Sequence, residues 1–257
     1  MKQLKTLDGL ALMPLYDWPE LHHLTDAVWD CVRQAAREEG LDLPVGLDHR
    51  PQRVSAWMND GVVFSQLCGS PWYRSHRHHA RYLATSNFDL TDNLDGQYYS
   101  KIIVANDSPL YALDGLEQAT FAFNDPDSQS GVHCLRPLLD IEPSLNRGVE
   151  SGGHRFSIEA VADGRADFAA IDAFSFLLAE RFLPTLTAGV RVIAQTAPRP
   201  APVLITSASF DDDTISALRR SVLIGLSQLP AEISAAFAFR GAVDLGEAPY
   251  AVFDLGV

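Results

Sequence analysis

Short apolar runs alternate along the chain with stretches in which apolar residues recur at helical spacing. Each run is short enough to be a buried strand, and the runs cover 10–15, 62–67, 98–104, 120–123, 168–171, 190–194 and 203–206. Helical spacing is clearest in the stretch 21–35, where one face carries Leu21, Leu24, Val28, Cys31, Val32 and Ala35. This alternation predicts an α/β fold whose sheets are mostly parallel and flanked by helices.

Local signals set the expected ends of the first helix. Asp17 and Glu20 form a capping-box pattern before it, and Gly40 stands where a helix would end. A further short helix is predicted over 54–58.

Small polar residues follow five of the predicted strands. In parallel sheets, ligands bind outside the carboxyl ends of the strands. The polar groups at these ends are Tyr16 with Asp17, 66–70 including Gln66, 128–131, 151–154 and Asp172. So many polar strand ends predict a binding cleft.

The most informative of these ends is the stretch 124–131, Asn-Asp-Pro-Asp-Ser-Gln-Ser-Gly. Ser128 can cap a following helix that carries Val132, Leu135, Leu138 and Leu139 on one face. Its first turn would leave the amides of Gln129, Ser130 and Gly131 free. Hydroxyls beside free amides at the positive end of a helix suit an anion. An ordinary capped turn between strand and helix is the competing interpretation.

Three further groups have both a binding and a structural interpretation. The stretch Ser151-Gly152-Gly153-His154 is typical of a second helix N-terminus, or of a glycine turn that precedes a helix without binding anything. Asp172 could face a ligand ammonium or hydroxyl, or simply cap the next helix. Tyr16, Tyr98 and Tyr99 could each place a hydroxyl on an anion, although alternation lets only one of the adjacent pair face the cleft.

Patterns for other chemistries are weak or absent. The loop Ser75-His76-Arg77-His78-His79 lacks metal-ligand spacing, so we expect no metal site. No G-x-S-x-G stretch supports a serine hydrolase, and no P-loop is found. We therefore expect neither a catalytic residue nor a cofactor. The three cysteines, Cys31, Cys68 and Cys134, form no CxxC pair and predict neither a disulfide framework nor a zinc site.

Composition and charge narrow the class of partner. The 257 residues are 47% hydrophobic and 21% charged, as in ordinary globular proteins. A formal net charge of -13 disfavours nucleic acid and anionic membranes, but helix-end amides act at contact distance and still permit a small anion. No run is long enough to span a bilayer, and we identify no secretory signal in the first residues.

Several stretches occur here in an order that resembles one family. They are 13–20 (Met-Pro-Leu-Tyr-Asp-Trp-Pro-Glu), 65–69 (Ser-Gln-Leu-Cys-Gly), 124–131, 150–155 (Glu-Ser-Gly-Gly-His-Arg) and 170–172 (Ala-Ile-Asp). Together they resemble the PhnD-like phosphate/phosphonate substrate-binding proteins of ABC transporters, across nearly the whole chain. The Ser-x-Ser-Gly element at 128–131 and the later Ser-Gly-x-His are the most specific parts.

The resemblance implies a type II periplasmic-binding-protein fold with two α/β lobes joined by two crossing segments. Lobe 1 would comprise 1–97 plus 196–257, and lobe 2, with the anion site, 98–195. The ligand would lie in a cleft between the lobes, which close around it by a hinge motion. It further implies that Ser128, Ser130 and Gly131 hold the oxyanion, with Tyr16, Tyr99, Ser151, Gly152 and His154 completing the cage and Asp172 facing an amine or hydroxyl.

The chain departs from the family pattern in three places. It shows no signal peptide, Pro137 stands inside the predicted anion-site helix, and Gly153 replaces a frequent serine. The resemblance implies a periplasmic, monomeric receptor with an ABC permease as its partner, whereas the missing signal is also compatible with a cytoplasmic protein or a trimmed chain. The alternatives are therefore a cytosolic enzyme or a ligand sensor on the same fold.

Overall fold

The computed structural model describes residues 4–50, 61–90 and 94–254. Its strands are β1 (Lys5–Thr6), β2 (Leu10–Ala11), β3 (Leu41–Asp42), β4 (Val62–Leu67), β5 (Ala80–Phe88), β6 (Gln97–Tyr98), β7 (Ser100–Ala105), β8 (Phe121–Phe123), β9 (Val149–Glu150), β10 (Phe168–Asp172), β11 (Val190–Gln195), β12 (Arg199–Pro200), β13 (Val203–Ser207) and β14 (Phe239–Val243). The helix predicted over 54–58 lies outside the described residues.

The α-helices are α1 (His22–Glu38), α2 (Gly69–Pro71), α3 (Glu142–Asn146), α4 (His154–Ala162), α5 (Ala173–Phe182), α6 (Pro184–Thr187), α7 (Asp212–Ser227) and α8 (Ala231–Phe237). Helix α1 ends as predicted, because Gly40 adopts a left-handed φ of 87° just beyond it. The predicted capping box does not form, since no side chain caps the turn at Pro19–Leu21 or α1. Asp17 instead accepts a hydrogen bond from Thr25.

The chain forms two compact units. Unit 1 comprises Met1–Gln97 and Pro200–Val257, and unit 2 comprises Tyr98–Arg199. The chain passes from one unit to the other twice, once within β6 and once within β12.

The main sheet of unit 1 has the strand order β14-β5-β13-β4-β2. All six residues of β4 are buried, as expected for a strand that has a neighbour on each side. Beside this sheet, α1 packs closely on α7, where a side chain at Gly225 would meet the backbone of Cys31 and Val32. Glycine therefore permits this close helix contact.

The sheet of unit 2 has the order β11-β7-β10-β8-β9. Its middle strand β10 is buried throughout, which explains the apolar sequence Phe-Ala-Ala-Ile that precedes Asp172. Phe121 and Phe168 stack with ring centroids 4.8 Å apart in the core. Burying one such side chain stabilises the fold by about 1.5–3 kcal/mol.

The sheets are mixed rather than mostly parallel, which corrects the predicted strand direction. In unit 1 only β2 and β4 run parallel among the pairs of the main sheet. In unit 2 β10 is parallel to β8 and antiparallel to β7. Strands β7 and β13 each enter a sheet soon after the chain crosses between units. No helical crossover from a sheet neighbour constrains their direction, so alternation along the sequence cannot reveal it.

The prediction of an extended helix beginning at Ser128 is also wrong. Only a 3-10 turn at His133–Leu135 forms there, within a series of turns. Pro137 lacks an amide proton and cannot continue an α-helical ladder. The stretch is a compact turn rather than a helix with an open first turn.

Candidate ligand-binding site

The polar residues of unit 2 meet at one edge of its sheet because of strand direction. β10, β8 and β9 are parallel neighbours, so their carboxyl ends lie at the same edge. There they lead into Asp172, the turn 124–131 and the segment 151–154 respectively. Because β7 is antiparallel to β10, its first residue, Ser100, lies opposite Asp172 at this same edge.

The turn 128–131 is buried and internally bonded. Ser128, Gln129 and Ser130 are each only 4–6% exposed. The amide of Gly131 donates to Ser128 Oγ at 3.0 Å. This is the bond expected from a capping serine, and it occupies an amide that the sequence interpretation left free for a ligand. The hydroxyl proton of Ser128 is not used in that bond and can be donated.

Gly131 is required by a neighbouring side chain. A Cβ atom at this position would lie 1.9 Å from Asn124 Oδ1 and 3.1 Å from Ser128 Oγ. The family resemblance implied that this glycine helps to hold an oxyanion. The structure supplies a packing reason that holds without a ligand.

Ser130, His154 and Asp172 form a buried polar cluster. Ser130 Oγ lies 2.9 Å from His154 Nε2, and Asp172 Oδ2 lies 3.3 Å from the same nitrogen. The side chains of His154 and Asp172 are 9% and 3% exposed. The structure thus brings residues from three strand ends into contact with one another.

Burial controls the charge of His154. Desolvation lowers its pKa, and the negative charge of Asp172 and a bond to the Ala170 backbone oppose this shift without cancelling it. The imidazole is therefore neutral at pH 7. A neutral imidazole can donate a hydrogen bond to Ser130 or accept one from it, and it adds no fixed positive charge to the site.

Asp172 has a structural role in addition to its place beside His154. Its Oδ1 accepts a hydrogen bond from the amide of Ser175 at 2.8 Å and so caps α5. This is the structural interpretation that the sequence left open. Both carboxylate oxygens of Asp172 have partners within the protein.

The conformation of the segment 151–154 is fixed by the hydrogen bonds of Ser151 and by the backbone conformation of Gly152. Ser151 Oγ contacts Ser157 Oγ at 2.7 Å and the carbonyl oxygens of Phe123 and Gly153 at 3.1 Å. Gly152 has a φ of 83°, a conformation that favours glycine. Together they shape the turn that places His154 at the start of α4.

Ser100 is a residue of this edge that the sequence interpretation missed. Its hydroxyl donates to the carbonyl oxygen of Ser130 at 2.8 Å, and its amide donates to Thr196 Oγ1 at 2.9 Å. Of the two tyrosines that precede Ser100, Tyr98 is buried and Tyr99 is partly exposed. A serine at the start of a strand carries no sequence signal for this contact, because the contact depends on the antiparallel pairing of β7 with β10.

Unit 1 carries the two other predicted ligand residues. Tyr16 is 2% exposed and its ring packs edge-on against Phe88 at 5.5 Å. Gln66 is fully buried in β4, and neither polar atom of its side chain has a hydrogen-bond partner among the described residues. Buried amides in folded proteins are almost always bonded, so the Gln66 side chain has hydrogen-bonding capacity that no described residue uses.

The structure also bears on the cysteines and on the search for membrane-spanning segments. No disulfide bond joins Cys31, Cys68 or Cys134 to another described residue. No helix in the described ranges is both long and apolar enough to cross a membrane.

The cluster in unit 2 differs from a catalytic triad. In a serine hydrolase the carboxylate and the serine contact opposite nitrogens of the histidine. Here Ser130 and Asp172 both contact Nε2. This geometry provides hydrogen-bonding groups but does not provide a relay that would activate Ser130 as a nucleophile.

Comparison with known proteins identifies a family and a fold. The profile of the family described as "ABC transporter, phosphonate, periplasmic substrate-binding protein" matches residues 58–245, well over half of the chain. A comparison with curated protein sequences gives no match.

Solved structures resemble this chain along nearly its whole length. A binding-protein component of an ABC phosphonate transporter from Pseudomonas aeruginosa has a TM-score of 0.74 at 16% identity, with 97% of this chain and 86% of that chain covered. PhnD1 from Prochlorococcus marinus, in complex with methylphosphonate, has a TM-score of 0.71 at 13% identity, with 96% of each chain covered. XAC2383 from Xanthomonas citri, bound to ATP, has a TM-score of 0.65 at 18% identity, with 96% and 98% covered.

These likenesses show an α/β type II periplasmic-binding-protein fold with two mixed sheets flanked by helices, which confirms the fold class predicted from the sequence. At such low identity they show the fold alone. The match of the family profile goes further, and it agrees with the resemblance carried by the motifs around Ser128 and His154. The chain belongs to the family of periplasmic substrate-binding proteins of phosphonate ABC transporters.

Proposed function

We propose that this protein binds a small oxyanion, namely a phosphonate, phosphate or phosphate ester, for uptake by an ABC transporter through hinge closure. The observation that carries this proposal is the pair of Ser130 Oγ and His154 Nε2, 2.9 Å apart, with only 9% of the His154 side chain exposed. Family membership supports the same function. Uptake of this kind places the protein on the outer side of the cytoplasmic membrane.

The serine hydroxyls of this site are uncharged hydrogen-bond donors, which suit an anion. The hydroxyls of Ser128 and Ser130 can each donate a hydrogen bond to an oxyanion. Bonds to a charged acceptor contribute about 1.5–3 kcal/mol each, more than bonds between neutral groups. In this proposal Tyr16, Gln66, Tyr99, Gln129, Gly131, Ser151, Gly152 and Asp172 bind or position the rest of the ligand.

The enzyme alternative has one observation in its favour, the buried group of Ser130, His154 and Asp172. Two facts weigh against it. Ser130 and Asp172 contact the same nitrogen of His154, and the family consists of substrate-binding proteins. We therefore propose that no bond of the ligand is made or broken.

Thermal unfolding in the presence of ligands tests the proposal. Methylphosphonate, 2-aminoethylphosphonate, inorganic phosphate and ATP would be titrated separately. A ligand at 100 times its dissociation constant stabilises the folded protein by about 2.7 kcal/mol, which raises the melting temperature in a concentration-dependent way. Ser130→Ala should reduce the shift from the best ligand by removing a donor to its charged oxygen.

Ser144→Ala is the matched control. Ser144 is another buried serine of unit 2, but its hydroxyl donates to the carbonyl of Leu116 in the core. The control is expected to lower the melting temperature of the free protein and to leave the ligand-induced shift unchanged. Absence of a shift with every oxyanion would refute the proposal, and release of a product from any of them would establish the enzyme alternative.

A further inference from the structure

A second polar cluster lies within unit 1 and includes Asp17, the chain neighbour of Tyr16. It joins three segments: Asp17 before the first helical turn, His22 at the start of α1, and His49 in the loop after β3. Asp17 Oδ2 lies 2.7 Å from His49 Nδ1, and Asp17 Oδ1 lies 3.9 Å from His22 Nε2. One ligand atom from each residue can be chosen so that all three lie within 4.8 Å of one another.

Two further side chains orient this cluster. Thr25 Oγ1 donates to Asp17 Oδ1 at 2.7 Å, and Asp26 Oδ1 lies 3.1 Å from His49 Nε2. Histidines that bind metals usually donate their other ring N–H to a carboxylate, and carboxylate ligands are themselves hydrogen-bonded. The contacts of Asp17 and His49 match both parts of this pattern.

We propose that Asp17, His22 and His49 bind a divalent transition-metal ion of the zinc class. Two imidazoles and one carboxylate are a frequent ligand set for zinc, and imidazole also suits nickel and copper. The set provides three protein ligands and leaves other positions of the ion to water. Magnesium and calcium prefer oxygen ligands and are not expected to bind here.

The geometry requires only small changes to admit an ion. Metal binding replaces the hydrogen bond between Asp17 and His49 with two bonds to the ion of about 2.0–2.2 Å. The rings of His22 and His49 are stacked with centroids 4.0 Å apart, so the His22 ring must turn to direct its nitrogen at the ion. Its side chain is 35% exposed, which leaves room for that rotation and for entry of the ion.

Protons compete with the ion at His49. Burial disfavours its charged form, but hydrogen bonds and charges from Asp17 and Asp26 outweigh burial and raise its pKa. Because a metal binds the neutral imidazole, affinity should be measured at pH 8.

Calorimetric titration of chelator-treated protein with zinc chloride tests the site, with cobalt absorption as a second readout. We expect one zinc ion per chain, a visible cobalt spectrum typical of nitrogen and oxygen ligands, and no binding of magnesium. His22→Gln and His49→Gln should each weaken zinc binding at least about tenfold, and Asp26→Asn should weaken it about tenfold through His49.

His23→Gln is the matched control, because His23 is the exposed neighbour of His22 on the same helix. It should bind zinc as tightly as the unmodified protein. Circular dichroism of the metal-free variants confirms that each is folded; His22→Gln removes only a partly exposed side chain. The proposal is wrong if folded protein binds no zinc, or if binding survives in the His22→Gln/His49→Gln variant and is lost when His78 and His79 are replaced.

Discussion

At the scale of single residues, the environment of His154 decides what unit 2 can do. The imidazole contacts both Ser130 and Asp172 through one nitrogen. Burial keeps it neutral at pH 7 by lowering its pKa. The cluster is thus a set of hydrogen-bonding groups in which the imidazole of His154 becomes charged only in acid.

His154 should make folding stability depend on pH in a defined direction. Its pKa is lowered in the folded state, so the unfolded chain binds a proton first as pH falls through about 6.5. The stabilisation that His154 contributes is therefore present above about pH 6.5. It is lost progressively as the pH falls from there to the pKa of His154 in the folded protein. Relative to His154→Gln, the unmodified protein should lose up to about 1.4 kcal/mol of unfolding free energy per pH unit.

Chemical denaturation of both proteins between pH 7.5 and 5 measures this difference. The comparison cancels contributions from other groups, including His49, whose pKa is shifted in the opposite direction. Parallel pH profiles for the two proteins would show that His154 is not desolvated in the way described.

At the scale of elements, the contact between α1 and α7 shows how one glycine controls helix packing. A Cβ atom at Gly225 would lie 2.6 Å from Cys31 O and 2.7 Å from Val32 Cα. These are backbone atoms, which cannot rotate away as a side chain would. The two helices must separate to admit any side chain at this position.

Gly225→Ala should therefore destabilise the protein despite the better helix propensity of alanine, which favours it by about 1 kcal/mol. We expect a net loss of about 1–3 kcal/mol, typical of overpacking, measured by urea denaturation. Ser227→Ala, at an exposed site of the same helix, should change stability by less than about 0.5 kcal/mol. A neutral or stabilising effect of Gly225→Ala would mean that the helices lie farther apart than described.

At the scale of the whole molecule, the formal net charge of -13 acts on any anionic ligand. This charge repels a phosphonate at long range, whereas hydroxyl donors such as those of Ser128 and Ser130 act only on contact. Salt shortens the Debye length from about 30 Å at 0.01 M to about 8 Å at 0.15 M. Screening should remove most of the repulsion and leave the short-range contacts.

The association rate of a phosphonate should therefore rise with ionic strength, opposite to the usual effect of electrostatic steering. Stopped-flow fluorescence at several salt concentrations measures this rate. A second salt with a different anion separates screening from competition at the site, since competition lowers affinity without raising the rate. An association rate that falls with both salts would indicate a locally positive approach to the site.

Local signals in the sequence were sufficient for the main strands, for α1 and for the family. Apolar periodicity identified the main strands and α1, because each period reflects which face of one element is buried. Gly40 marked a helix end, and Ser128 accepts the capping bond from Gly131. The motifs around these positions also indicated the family that the profile match establishes.

Contacts between distant residues were decided only by the tertiary structure. Strand direction puts Ser100 beside Ser130, and it could not be read from alternation because β7 enters its sheet directly after the chain passes between units. The grouping of Asp17, His22 and His49 likewise depends on how a loop after β3 returns to the start of α1. Local propensities act over a few residues along the chain, whereas these sites depend on packing between segments that are far apart in sequence.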